Sequence, residues 1–373
     1  MRYCSNCVLP DTRPGIYIRE DGICNACAGH DLKSEIDWAA REQEFLRIIE
    51  LTKGKKKGYD CIVPVSGGKD STWQVVRCLE YGLKTLAVTW RTPGRTEIGQ
   101  QNLNNLINLG VDHIDYTIDP RVDRLFTYKT LFKTGSTAVP MHMGMYTIPL
   151  RIAVSFDIPL VIWGESPFME YGGTEEERNN LNRLDNTWLK MHGILQGTSA
   201  EDWVDDELSV KDMTAFYFPN DEEFRSKNIL SLFLGYYFPW DPEETLRVAK
   251  EHGFQVREEG PKVGYYNFAD IDCDFISVHH HFKWLKFGFS RLFDNLSLEI
   301  RNGRMTRDEA VQIIRERGDQ RPNEDIDTLC NFLNISEEHF REIEEKFRNT
   351  DVWEKENGVW KVKDFLIPDW KWD

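Results

Sequence analysis

The chain has 373 residues, 40% of them hydrophobic, which is enough for a substantial core and, by length, for two or three structural units. Lys and Arg number 46 against 62 Asp and Glu, and the net charge of −16 argues against a polyanion binder, although a local basic patch can still exist. No apolar run reaches the ~18 residues of a membrane span, and the first residues, MRYCSNC, lack a signal-peptide pattern, so the expected compartment is the cytoplasm.

Residues 1–30 read as a unit of their own. Cys4-x2-Cys7 and Cys24-x2-Cys27 are two knuckles separated by sixteen residues. In a reducing compartment that spacing suggests a metal and not disulfides. Four thiolates fill the tetrahedral sphere of zinc, so the expected ion is structural. Pro10, Pro14-Gly15 and Asp21-Gly22 suit a small ribbon with tight turns. So short a segment has little core, and the metal would do much of the folding. Free or redox-active cysteines and an iron–sulfur cluster are the alternatives.

Residues 31–58 form a helical connector, with Leu32, Ile36, Phe45, Ile48 and Ile49 at roughly helical spacing. Its basic end, Lys53 to Gly58, is read as a solvated loop. From 59 to 165 strands and helices alternate. Strands are expected at 61–65, 85–90, 113–118 and 159–163, with helices at 71–81, 97–109, around 124–132 and at 141–156. Short apolar strands separated by helices indicate an α/β fold with a doubly wound parallel sheet. Ligands of such sheets sit beyond the carboxyl ends of the strands. Ser66, Trp90 and Gly164-Glu165 lie at such ends and can converge.

Residues 166–240 interrupt the alternation. They are acidic and aromatic, and read as a mainly helical insertion, either a substrate lid or a cover for the sheet edge. The core resumes over 241–293, where Asp241-Pro242 opens a helix, 262–272 is loop-like and 275–293 is one long amphipathic helix. Residues 294–373 form a helical C-terminal region, with helices at 297–301, 307–317, 325–333 and 336–348.

The chemistry centres on Ser66-Gly67-Gly68-Lys69-Asp70-Ser71, which follows an apolar strand and precedes a helix. Strand, glycine loop and helix leave backbone N–H groups facing outward, a natural phosphate cradle. The spacing is not that of a Walker loop. Ser66, Gly67, Gly68 and Ser71 supply donors, and Lys69 adds charge at the least certain of the loop positions. Asp70 cannot bind bare phosphate. It either holds Mg²⁺ or caps the helix, and both roles can coexist. Glu165 is a second magnesium candidate, a substrate contact or a cap. Val88 and Trp90 are expected to border adenine, and Gly164 to lie beside the nucleotide. Lys286 and Arg291 are expected to close over the β and γ phosphates, or Arg291 to hold a carboxylate. His279-His280-His281 cannot all face one ion, since neighbours on a helix point about 100° apart. Core or substrate-contacting histidines are expected there.

The loop resembles the SGGxDS pyrophosphate loop of the ATP pyrophosphatase (PP-loop) superfamily, of adenine nucleotide alpha hydrolase-like fold, which splits ATP between its α and β phosphates. The four-cysteine element, VPVSGGKDST at 63–72, VIWGES at 161–166, and KFGFSR with LSLEIRNGRMTRDEA at 286–310 together resemble the N-acetyl sugar amidotransferase family of bacterial surface-polysaccharide (LPS O-antigen) biosynthesis. Ser290 departs from the glycine expected there. The resemblance covers nearly the whole chain. It implies ATP-dependent conversion of an acetamido group on a nucleotide-linked sugar acid to an acetamidino group through an O-adenylyl imidate. It also implies ammonia from a separate glutaminase resembling that of imidazole glycerol phosphate synthase, sometimes beside a cyclase-like subunit, and no nucleic acid or membrane insertion. The rival readings are a tRNA-modifying thiolase or lysidine-type ligase, disfavoured by the acidic charge, and an inactive adaptor, disfavoured by the intact loop.

Overall fold

The computed structural model describes residues 1–164, 195, 197–318 and 320–372. Glu165 and most of the first half of the expected insertion lie outside the described residues. After α1 (Asn25–Asp31) and α2 (Trp38–Thr52), the chain runs through β1 (Cys61–Pro64), α3 (Lys69–Glu80), β2 (Thr85–Trp90), α4 (Glu97–Ile107) and β3 (Asp112–Tyr116). It continues through α5 (Pro120–Thr134), α6 (Ala138–Phe156) and β4 (Leu160–Trp163). Next come α7 (Asp221–Lys227), β5 (Leu230–Phe233), α8 (Leu234–Tyr237) and α9 (Pro242–Glu251).

The five strands form one parallel sheet in the order β3-β2-β1-β4-β5. The chain starts in the middle, winds outward to β3, then crosses back to β4, so β1 and β4 flank the point where the winding reverses. Alternation along each strand explains why both faces are covered. Cys61, Val63, Ala87, Leu160 and Ile162 meet Phe45 of α2, Trp73 of α3 and Leu103 of α4 on one face. Ile62, Leu86, Val88, Val161 and Trp163 meet Phe126 of α5 and Met143 of α6 on the other. Truncating a fully buried member such as Ile62 costs about 2–5 kcal/mol.

Two expectations need correction. The span read as an insertion contains β5, a core strand paired with β4 through Leu160–Leu230 to Trp163–Phe233. The long helix at 275–293 is two, α10 (Phe275–Phe287) and α11 (Arg291–Arg301). Gly288 breaks it in a left-handed conformation (φ 69°), and a Cβ there would approach Val352 Cγ1 to 2.7 Å. The apolar pattern carries on across the break, so periodicity could not reveal it.

The C-terminal region packs α12 (Arg307–Arg317), α13 (Asn323–Leu333) and α14 (Glu337–Phe347) and ends in an antiparallel hairpin, β6 (Trp353–Glu356) and β7 (Val359–Val362). Its Asn357-Gly358 turn has positive φ at both residues, the usual signal for a two-residue hairpin, which the helical reading missed. The cysteine ribbon does not stand apart. Cys4, Cys7, Val8 and Leu9 share an apolar cluster with Trp284, Phe293, Leu296 and Trp353. Arg307 donates to the carbonyls of Cys4 and Cys7 (3.3 and 3.1 Å), and Arg13 pairs with buried Asp294 at 2.6 Å.

Candidate active site

The SGGKDS segment turns from β1 into α3 beside the reversal point of the sheet. Gly67 has φ 93°, and a Cβ there would come within 2.8 Å of Gly99 O and Leu103 N. Glycine is therefore required both for the turn and for its contact with α4. Gly68 occupies the N-cap without a side-chain bond, so Asp70 is not the cap. The hydroxyls of Ser71 and Thr72 both donate to Gly68 O, at 2.9 and 3.1 Å, and Gly68 N donates to Ser66 Oγ at 3.2 Å. These bonds stiffen the loop and leave the first turn of α3, with its unpaired N–H groups, at the cavity.

That cavity, about 380 Å³, is of small-molecule size and lies past the carboxyl ends of β1, β2 and β4. Ser66, Gly68, Lys69, Asp70 and Ser71 line one wall, and Val88, Trp90 and Gly164 also line it. Gly67 is the loop residue that turns away, toward α4. Met141, Met145 and Tyr146 of α6 add an apolar patch near Trp90. Pro149, inside α6, cannot donate to the carbonyl of Met145, so the helix lacks one bond where it borders the cavity.

Lys69 is buried, with Nζ 2.7 Å from both Asp70 oxygens and above the rings of Trp240 (5.1 Å) and Phe268 (5.8 Å). Trp240 Nε1 donates to Asp70 Oδ1 at 3.0 Å. Asp70 thus has a fixed orientation while a third of its side chain remains exposed.

The facing wall comes from the loop before α10 and from α11. Tyr266, Phe268, Asp270, Asp272, Arg291 and Asn295 line it, and Arg291 Nε donates to Asp270 Oδ2 at 2.8 Å. The loop is pinned to the β2–α4 connection by Thr96 Oγ1 to Ile271 O (2.6 Å) and Asp274 N to Gly94 O (2.8 Å). Gly99 permits the approach, since a Cβ there would meet Asp272 Cα at 2.7 Å. Burial pushes the Asp272 carboxyl upward, and Asp270 adds to this, while Ser66 and Arg95 pull it back. Beside it, Arg95 makes a bidentate pair with Asp115 at 2.7 and 2.8 Å.

Arg291 therefore reaches the site, but Lys286 does not. Gly288 ends α10 between them, and Lys286 Nζ donates instead to Thr134 O at 3.1 Å, with burial lowering it to about 8. The expected joint closure over phosphate fails for that reason. In the histidine tract His280 and His281 are buried and His279 is partly buried. His281 contacts Glu344 at 2.6 Å, and burial holds His279 and His280 well below the usual histidine range. Sequence reading missed Trp240, Tyr266, Phe268, Asp270 and Asp272. The one available signal was the alternation of acids in Asp270-Ile-Asp272-Cys-Asp274, unusual for a featureless loop.

At the other end, the four cysteine sulfurs lie within 4.8 Å of one another. Cys7 and Cys24 Sγ are 3.8 Å apart, near the ~3.8 Å edge of a tetrahedron with 2.3 Å metal–sulfur bonds. Backbone N–H groups of Cys7 and Cys24 point at Cys4 Sγ (3.4 and 3.2 Å), and that of Cys27 at Cys24 Sγ (3.4 Å), donors suited to thiolates. The donor set and spacing fit structural zinc. Among the described residues no other group of three or more potential ligands converges in this way.

No curated protein matches the sequence. Among solved structures, the chain is similar to a predicted subunit of tRNA methyltransferase from Methanocaldococcus jannaschii, at 13% identity and TM-score 0.30 over 52% of this chain and 74% of that one. It is also similar to NMN synthetase from Francisella tularensis, at 14% identity and TM-score 0.27 over 53% and 98%. Residues 263–366, which include Asp270, Asp272 and Arg291 of the facing wall, match the family of the LPS biosynthesis protein WbpG-like C-terminal domain.

Proposed function

We propose that this chain is an ATP-dependent N-acetyl sugar amidotransferase of surface-polysaccharide biosynthesis, forming AMP and pyrophosphate. One observation carries the reading: the SGGKDS loop faces, across a single cavity, a wall built from the segment that matches an LPS biosynthesis domain. The loop supplies phosphate-binding N–H groups, and the matched segment supplies Asp270, Asp272 and Arg291 for a polar substrate.

In this reading ATP lies with adenine toward Val88, Trp90 and Met145 and its phosphates on the first turn of α3. The sugar acetamide oxygen attacks the α-phosphorus, pyrophosphate leaves, and the amide N–H proton is lost, giving an O-adenylyl imidate. Ammonia then attacks the imidate carbon, the C–O bond breaks, and AMP departs with the former amide oxygen. Holding the two reactants in line is the main contribution of such a site. Asp272, a stronger base than an exposed aspartate because desolvation raises its carboxyl, is suited in its ionised form to receive the proton that the attacking nitrogen gives up. Arg291, which lines the cavity beside Asp270, has the planar cationic fork that suits a sugar carboxylate. Asp70 fits Mg²⁺, which usually takes one or two carboxylates plus phosphate oxygens, once the ion displaces Lys69; the ion would neutralise the leaving pyrophosphate. Ammonia would come from a separate glutaminase, and the acidic charge of the chain disfavours the tRNA alternative.

The test is to incubate the enzyme with ATP, ammonium and UDP- or CMP-linked N-acetyl sugar acids and to follow the sugar by mass spectrometry. The mass change for oxygen replaced by NH is expected, together with AMP. AMP formation with the sugar unchanged would exclude the amidine product.

A further inference from the structure

A second cavity, about 320 Å³, lies on the far side of the 261–266 segment from the first. Gly264 seats that segment against α11, since a Cβ there would meet Arg291 Cγ at 2.8 Å. Ser290 and His280 line the second cavity and are 2% and 6% exposed. Neither the Ser290 hydroxyl nor either ring nitrogen of His280 has a hydrogen-bond partner, although Asp270 Oδ2 stands 3.9 Å from His280 Nε2. His281, also in the lining, has a free Nδ1. Buried polar groups left unpaired are costly, and their gathering around one cavity calls for a ligand.

The chemistry of the lining selects the class of ligand. Ser290 is the N-cap of α11 but makes no capping bond, so the positive end of an eleven-residue helix meets the cavity uncapped. Arg317 lines the same cavity and has no ion-pair partner among the described residues. Lys262 is neutralised by Asp274 and Asp325. Glu316 is the acid in the lining; it is exposed and accepts from Gln312 at 2.7 Å. A cation would face Arg317 and the helix terminus, whereas an anion would find donors on three sides. We propose that this cavity is an anion site, taking a carboxylate or phosphoryl group of a small molecule at the amino terminus of α11.

The experiment is calorimetric titration of the full chain with glucuronate, with glucose 1-phosphate, and with glucose as the neutral control. Binding of an anionic probe but not of glucose is expected, and the preferred probe tells carboxylate from phosphate. Arg317→Ala is expected to weaken binding about tenfold and Ser290→Ala about threefold. Arg317 has no described ion pair and the Ser290 hydroxyl makes no bond, so both variants should fold, which their melting temperatures check. ATP affinity, measured separately, should not change in either. Absence of binding by both anions, equal binding of glucose, or wild-type affinity in Arg317→Ala would overturn the proposal.

Discussion

The SGGKDS loop and the cysteine ribbon both draw polar atoms into a small space, but they rest on different supports. The loop stands on β1, which contributes to the apolar clusters on both faces of the sheet, and on α3, which belongs to one of them. Its charges are matched locally: Lys69 with Asp70, and Arg291 with Asp270 opposite. The ribbon is too short to close a core of its own and shares its apolar cluster with α10, α11 and the hairpin. Among the described residues, the polar contacts of its four buried sulfurs are with backbone N–H groups and one another. The contrast suggests that the loop is held by the packing of the sheet, whereas four converging thiols call for an ion to hold them together. Changes at the first should cost function, and changes at the second should cost the fold.

The largest effect should come from the ribbon. If the four thiolates hold zinc, Cys24→Ser is expected to release one zinc per chain and to lower the melting temperature by roughly 10 °C or more, because binding at such a site couples to folding. Metal analysis together with calorimetry checks this, and retained stability in a zinc-free variant would erase the contrast. Next is Asp70→Ala, which should reduce AMP formation by at least ~100-fold while the melting temperature moves only a few degrees. A variant that unfolds instead would show that the Lys69–Asp70–Trp240 group serves the fold.

A smaller effect concerns an acid in α5. Asp123 is buried, and burial alone raises its carboxyl to about 7. The folded chain keeps that proton between about pH 4 and pH 7, whereas the unfolded chain releases it near pH 4. Its stability contribution is therefore complete below pH ~4 and lost as pH rises through 7. Asp123→Asn should stabilise the protein more at about pH 8 than at about pH 4, as melting curves at the two pH values would show. The smallest effect should be that of Lys286→Ala. Its ammonium meets Thr134 O and not the cavity, so ATP turnover should stay within about threefold of wild type. A large loss would return Lys286 to the active site.

What could be read from the sequence follows the same division. The loop is contiguous, its residues fix their own turn, and its strand–loop–helix setting is local, so its position at the end of β1 was legible. The sulfur cluster was legible because paired knuckles have few other uses. The facing wall was not. Tyr266, Phe268, Asp270 and Asp272 lie in a loop without periodicity, and what holds them is distant: Thr96, Gly94 and Gly99 on the β2–α4 side. Strand β5 was hidden because four residues, Leu230-Ser231-Leu232-Phe233, amid an irregular stretch are too few for a period to be read. The separation of Lys286 from Arg291 turned on Gly288, a left-handed turn that Val352, more than sixty residues away, packs against too closely for a Cβ.

The central claim is that the amide oxygen is activated by transfer of AMP at this cavity. A sugar substrate carrying heavy oxygen in its acetamido carbonyl tests it directly, with ATP, ammonium and the enzyme. The account predicts one heavy oxygen in the phosphate of every AMP formed and none left in the amidine. Unlabelled AMP, or ADP and phosphate as the nucleotide products, would contradict it.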